Sequence, residues 1–140
     1  MKVIIINGPN LNLLEKRNIK QYGGKSFDDF FKGIKSKYKN IDLSYFQSNI
    51  EGELIDKLQI VGFTHDYIIF NPGGYTHYSV AISDCVSLIS TPVIEVHISN
   101  IYSREDFRKK SLISKHCIGC IVGFGLSGYE MAIDLSLIHI

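Results

Sequence analysis

Five short apolar runs recur along this chain, each followed by a stretch with helical spacing. That alternation constrains the fold more than any other feature. The first run, Lys2-Val-Ile-Ile-Ile6, is continuous and β-branched, the mark of a strand covered on both faces. Ser26-Phe-Asp-Asp29 opens a helix with a serine cap and acids in its first turn, and Phe27, Phe30, Phe31 and Ile34 supply its buried face to about Tyr38. Ile41-Asp-Leu-Ser-Tyr45 alternates with period two, as a strand with one wetter face does. Ser48-Asn-Ile-Glu51 reads as a capping box, followed by the stripe Leu54, Ile55, Leu58 and Val61, which stops at Gly62. Tyr67–Phe70 is a third strand, and Tyr78 to Ser90 reads as the helix after it. Val93–His97 and Ile118–Phe124 are the fourth and fifth strands, and Tyr129, Ala132, Ile133, Leu137 and Ile140 give the last helix its core face.

Strands alternating with helices predict one parallel sheet covered on both faces. With five strands, the flavodoxin-like order 2-1-3-4-5 is expected. A length of 140 residues, 45% hydrophobic and 21% charged, suits a single α/β domain spanning 1–140. The net charge of +1 offers no reason to expect nucleic acid or a membrane as partner. No run approaches the ~18 apolar residues of a membrane helix, and Met1–Ile6 is too short for a signal peptide. A cytoplasmic protein is expected. Cys85, Cys117 and Cys120 are odd in number, which argues against a disulfide framework; Cys117-Ile-Gly-Cys120 lacks a second ligand pair, so buried, inert thiols are expected.

In the 2-1-3-4-5 order the switch point falls between strands one and three, where open α/β sheets bind ligands. The segments that follow those strands are polar. Asn7 to Gly24 carries no helical period and reads as a long lid loop, longer than the ~12 residues beyond which loops are usually functional or disordered. Asn71-Pro-Gly-Gly-Tyr-Thr-His77 reads as a tight turn between strand and helix. The strand ends collect Asn7, Asn10, Asn12, Arg17, Tyr22, Asn71, Thr76, His77, Glu95, His97 and Arg104.

No P-loop is present, and Gly123-Phe-Gly-Leu-Ser-Gly128 follows the last strand instead of the first, so turn glycines explain it. No G-x-S-x-G elbow exists. Glu95-Val-His97 is compatible with a metal site, but a carboxylate that fixes an imidazole tautomer is the favoured reading. Proton transfer remains. A guanidinium near a phenol favours phenolate, so Arg17 and Tyr22 on one loop suit abstraction of a proton beside a carbonyl. His97 held by Glu95 suits protonation of a leaving hydroxyl, asparagine amides suit an enolate oxygen, and Arg108 suits a substrate carboxylate. The other reading is a non-catalytic flavodoxin-like small-molecule binding module. Its receiver variant would need acids where Asn7 and Asn71 stand, and its flavin-carrier variant a hydroxyl-rich phosphate loop.

Asn7-Gly-Pro-Asn-Leu-Asn-Leu-Leu14, then Arg17 and Tyr22-Gly23, resembles the amino-terminal signature of type II 3-dehydroquinate dehydratases. Asn71–His77 resembles that family's second motif and Glu95-Val-His-Ile-Ser-Asn100 its third. The resemblance implies dehydration of 3-dehydroquinate to 3-dehydroshikimate through an enolate, with neither metal nor cofactor. It implies Tyr22 as base, Arg17 as its tuning cation, Asn10 as holder of the catalytic water, and His97 as proton donor. Asn71, His77, Ile98, Ser99 and Arg108 would contact substrate, Asp84 would reach a neighbouring subunit, and the assembly would be a homo-oligomer, a dodecamer of four trimers. The lid departs from the pattern in two places: Glu15 stands where glycine is usual, and Asn18-Ile19 where Glu-Pro is frequent.

Overall fold

The side-chain alternation of five parallel strands sorts the core into two layers. The strands are β1 (Lys2–Asn7), β2 (Asp42–Gln47), β3 (Tyr67–Asn71), β4 (Val93–His97) and β5 (Gly119–Val122), hydrogen-bonded in the order β2-β1-β3-β4-β5. They belong to a computed structural model that describes residues 1–17, 19–22 and 24–138, with Gln21 and Tyr22 described for their backbone only. The helices are α1 (Ile19–Tyr22), α2 (Phe27–Lys37), α3 (Glu51–Val61), α4 (Val80–Leu88) and α5 (Ser127–Ile138). Val3, Ile5, Ile69, Ile94 and Val96 pack with Phe27, Phe30 and Ile34 of α2 and with Tyr129, Ala132 and Ile133 of α5. Ile4, Ile6, Ile68, Phe70 and Val93 pack with Leu54, Leu58 and Val61 of α3 and Ile82 and Val86 of α4. Each buried Val, Leu, Ile or Phe side chain among them contributes roughly 1.5–3 kcal/mol.

The same period of two aims the polar strand ends. Asn7 and Asn71 continue the row of Ile5 and Ile69 and point toward α5. Glu95 and His97 continue the row of Val93 and point to the opposite face. Asn7 pairs with Asn71 in register, and the chain leaves both strands in contact: Gly8 N donates to Asn71 O at 2.8 Å. A Cβ at Gly8 would strike the Pro72 carbonyl, and Gly73, at φ +63°, passes close to Pro9. The two turns are therefore locked together by glycine.

Several local expectations are corrected. The lid segment contains a 3-10 turn (Leu11–Lys16) and α1, each too short to display a period in sequence. Asn10 is the one described non-glycine residue with positive φ (70°), so Glu15 occupies ordinary backbone. The capping box at Ser48 and Glu51 does not form: Ile50 holds the N-cap of α3, and the Ser48 hydroxyl accepts from Ile50 N and donates to Glu53. The helix expected from Tyr78 begins at Val80, capped by Ser79, because Gly73–His77 forms a 3-10 turn first. Along α5 the buried stripe continues through Ser136, whose hydroxyl donates to Ile133 O, and Leu137 is exposed; Ile140 lies outside the described residues. Cys85 is buried, but Cys120 is exposed, because β5 is an edge strand paired only with β4.

Candidate active site

One cavity of about 140 Å³ opens at the carboxyl ends of β1, β3 and β4. Its wall includes Asn10, Arg17, Asn71, His77, His97, Ile98, Ser99 and Arg108, eight residues that the sequence had nominated. Glu95 stands behind His97, fully buried. Asp84 is exposed on α4 and does not line the cavity. Tyr22 ends α1, and its side chain lies outside the described residues.

His97 Nε2 donates to Glu95 Oε2, a buried and very short contact. The other carboxylate oxygen accepts from Ser111 Oγ at 3.1 Å and Ser114 Oγ at 2.5 Å. Burial pushes the Glu95 carboxyl up, but the His97 bond and charge, with the two serine hydroxyls, outweigh it and hold the pKa below the ordinary value. Glu95 is thus an anion that fixes the His97 tautomer and leaves Nδ1 as the nitrogen able to exchange a proton.

His77 stacks near His97, ring centroids 6.4 Å apart, and its Nδ1 donates to Lys110 O at 2.8 Å. Burial lowers its pKa; the Lys110 carbonyl opposes this, while His97 and Arg108 reinforce it. His77 therefore presents a neutral Nε2 as acceptor. Arg108 is steadied by Glu105 at 3.2 Å and lies over the Phe107 ring. Arg104 Nη1 donates to Ser99 Oγ at 3.5 Å. Three guanidinium groups and no carboxylate line the cavity among the described residues, which suits an anionic ligand.

On the opposite side of the sheet, Asn71 Nδ2 donates to Tyr129 OH (2.9 Å), and that hydroxyl donates to Asn7 Oδ1 (2.8 Å). Asn71 Oδ1 accepts from Gly73 N at 3.1 Å, so its amide is pinned at both ends. The apolar stripe of α5 predicts Tyr129 in the core without predicting its polar role, Arg104 is legible only as a cation near a strand end, and Ser111 and Ser114 carry no local signal of a site. Their i, i+3 spacing is visible, but nothing in the chain says that it faces Glu95.

A doubly wound parallel sheet, with an imidazole–carboxylate pair and an arginine-rich cavity at its switch point, defines an α/β enzyme built for acid–base chemistry on a small anion. Within that class the chain belongs to the class II dehydroquinase family, whose model matches residues 1–137. A 3-dehydroquinate dehydratase of Clostridium beijerinckii is 51% identical over 136 residues, covering 95% of this chain and 93% of the relative. One from Campylobacter jejuni is 49% identical over 135 residues, covering 95% and 85%. The crystal structure of a type II dehydroquinase from Butyrivibrio crossotus superposes with a TM-score of 0.92 at 48% identity, covering 98% of this chain and 97% of that one.

Proposed function

We propose that this chain dehydrates 3-dehydroquinate to 3-dehydroshikimate in the shikimate pathway, by anti elimination through an enolate. The observation that carries the reading is the His97–Glu95 pair set in an arginine-lined cavity. Tyr22, as phenolate favoured by Arg17, abstracts the proton beside the carbonyl. Asn10 holds a water at the developing enolate oxygen, where a donor in place before the charge appears needs little reorganisation. His97, as imidazolium held by Glu95, protonates the departing hydroxyl from Nδ1. Asn71, His77, Ile98, Ser99 and Arg108 hold the substrate, with Arg108 suited to its carboxylate.

Asp84, exposed on α4, acts across a subunit contact in a cytoplasmic dodecamer of four trimers. The route needs neither metal nor cofactor. Support comes from the family membership and from the nominated residues that share one cavity. A non-catalytic binding module is disfavoured, since passive binding has no use for a buried carboxylate held by two serines against an imidazole. The deciding experiment follows ultraviolet absorbance of the conjugated enone when purified protein meets 3-dehydroquinate. Absence of the enone under conditions that keep the chain folded would refute the reading.

A further inference from the structure

Parallel register places a third chemical group beside the His97–Glu95 pair. Cys120 on β5 is the register partner of Glu95 on β4, so the two side chains share one face of the sheet, and His97, two residues on, shares it too. One ligand atom from each of Glu95, His97 and Cys120 lies within 4.8 Å of the others. Around a tetrahedral ion at bonds of about 2.0–2.3 Å, ligand atoms stand roughly 3–4 Å apart. Cys120 is exposed, so its side chain can adjust, while His97 and Glu95, now in hydrogen-bond contact, part as the ion replaces the proton between them.

We infer that Cys120, Glu95 and His97 form a zinc site with an open fourth position, and that filling it silences His97 as proton donor. Thiolate, imidazole and carboxylate together suit a borderline ion such as zinc better than magnesium or calcium. The outer partners are already in place: Ser111 and Ser114 donate to one Glu95 oxygen and turn the other toward His97. Cys120 also borders an open groove of about 690 Å³ at the edge of β5, shared with Tyr102, Phe124 and Leu135. Binding releases the thiol proton to solvent, while the ring proton leaves Nε2 and Nδ1 takes one, so one proton is lost per ion. With its Nε2 lone pair on the metal, His97 cannot become imidazolium. The inhibitory consequence rests on the dehydratase reading; the metal site does not.

The test titrates chelator-stripped, full-length protein with cobalt(II), without substrate. A thiolate-to-cobalt charge-transfer band that saturates at one equivalent and is displaced by zinc is expected. Cys120→Ser, checked for fold by circular dichroism, should lose the band and weaken zinc binding by at least about 100-fold, the upper range for loss of an outer partner alone. Cys117→Ser should keep both. No band at one equivalent, a band that survives in Cys120→Ser, or a band lost in Cys117→Ser would each overturn the site. Zinc should inhibit dehydration by the parent and not by Cys120→Ser at the same concentration; equal inhibition of both would overturn the link to His97. An inactive protein that still shows the band would refute the dehydratase reading and support the metal site.

Discussion

Replacing Tyr129 by phenylalanine removes one oxygen from the centre of the fold and retains the ring contacts with Phe27 and Phe30. The lost hydroxyl is fully buried and serves two asparagines, accepting from Asn71 and donating to Asn7. Burial drives the phenol pKa far up, so the group is a neutral donor at any working pH. Its loss strands Asn71 Nδ2 and Asn7 Oδ1 in the core. An unsatisfied buried group costs roughly 1–3 kcal/mol, so the pair costs about 2–6. Asn7 and Asn71 are register partners, and partial direct pairing pulls the value toward the lower half, about 2–4 kcal/mol. At roughly 3 °C per kcal/mol for a domain of this size, Tm falls by about 6–12 °C. The bond from Gly73 N to Asn71 Oδ1 remains, so the turn persists while the amide loses its second anchor. KM should therefore rise more than kcat falls. Urea and thermal melts at one fixed protein concentration, followed by enone kinetics, read both effects. A stability change within about 0.5 kcal/mol, the usual range for an uninvolved surface site, together with an unaltered KM would refute the clamp.

Tyr22→Phe should lower turnover by about 10²–10⁴-fold, the typical contribution of a general base, while binding titrations show substrate affinity largely intact; a near-normal kcat removes Tyr22 from that role. Arg17→Ala should slow turnover and shift the alkaline-active limb of the pH profile upward, and a limb that stays put would mean Arg17 does not tune the phenol. Activity should survive chelation, and borohydride with substrate present; loss under the first treatment would implicate a required metal, under the second an imine. Burial lowers the pKa of both His77 and His65, with Lys2 and Lys57 adding to the effect at His65 against Asp42 and Asp66. A depressed folded pKa means that the unfolded chain takes up protons first. Stability should thus be full above pH ~6.5 and erode as pH falls through that value toward the lower folded values. Urea melts from neutral to mildly acidic pH check this, and His65→Asn should flatten part of the slope.

What the sequence disclosed, and what it withheld, follows from the range over which each signal acts. A β-branched run such as Lys2–Ile6 and the stripe Phe27, Phe30, Ile34 are local patterns that core burial imposes directly, so strands and helices could be placed before any contact was known. Site residues at strand ends were legible for a related reason: strand order fixes where the carboxyl ends meet, and the polar turns there are continuous in sequence. Cys120 escaped because Cys120-Ile-Val has the composition of a covered strand, and only topology makes β5 an edge. Ser111 and Ser114 escaped because they touch Glu95 across 16 and 19 residues without a periodic element to announce the contact. Tyr129 reaches Asn7 across 122 residues, and an apolar stripe predicts its ring without predicting what its hydroxyl finds. The missed groups share one property: each supports a site residue from behind. Local patterning discloses the residues that line a cavity, while those that hold them in place are fixed only once the sheet has closed in register.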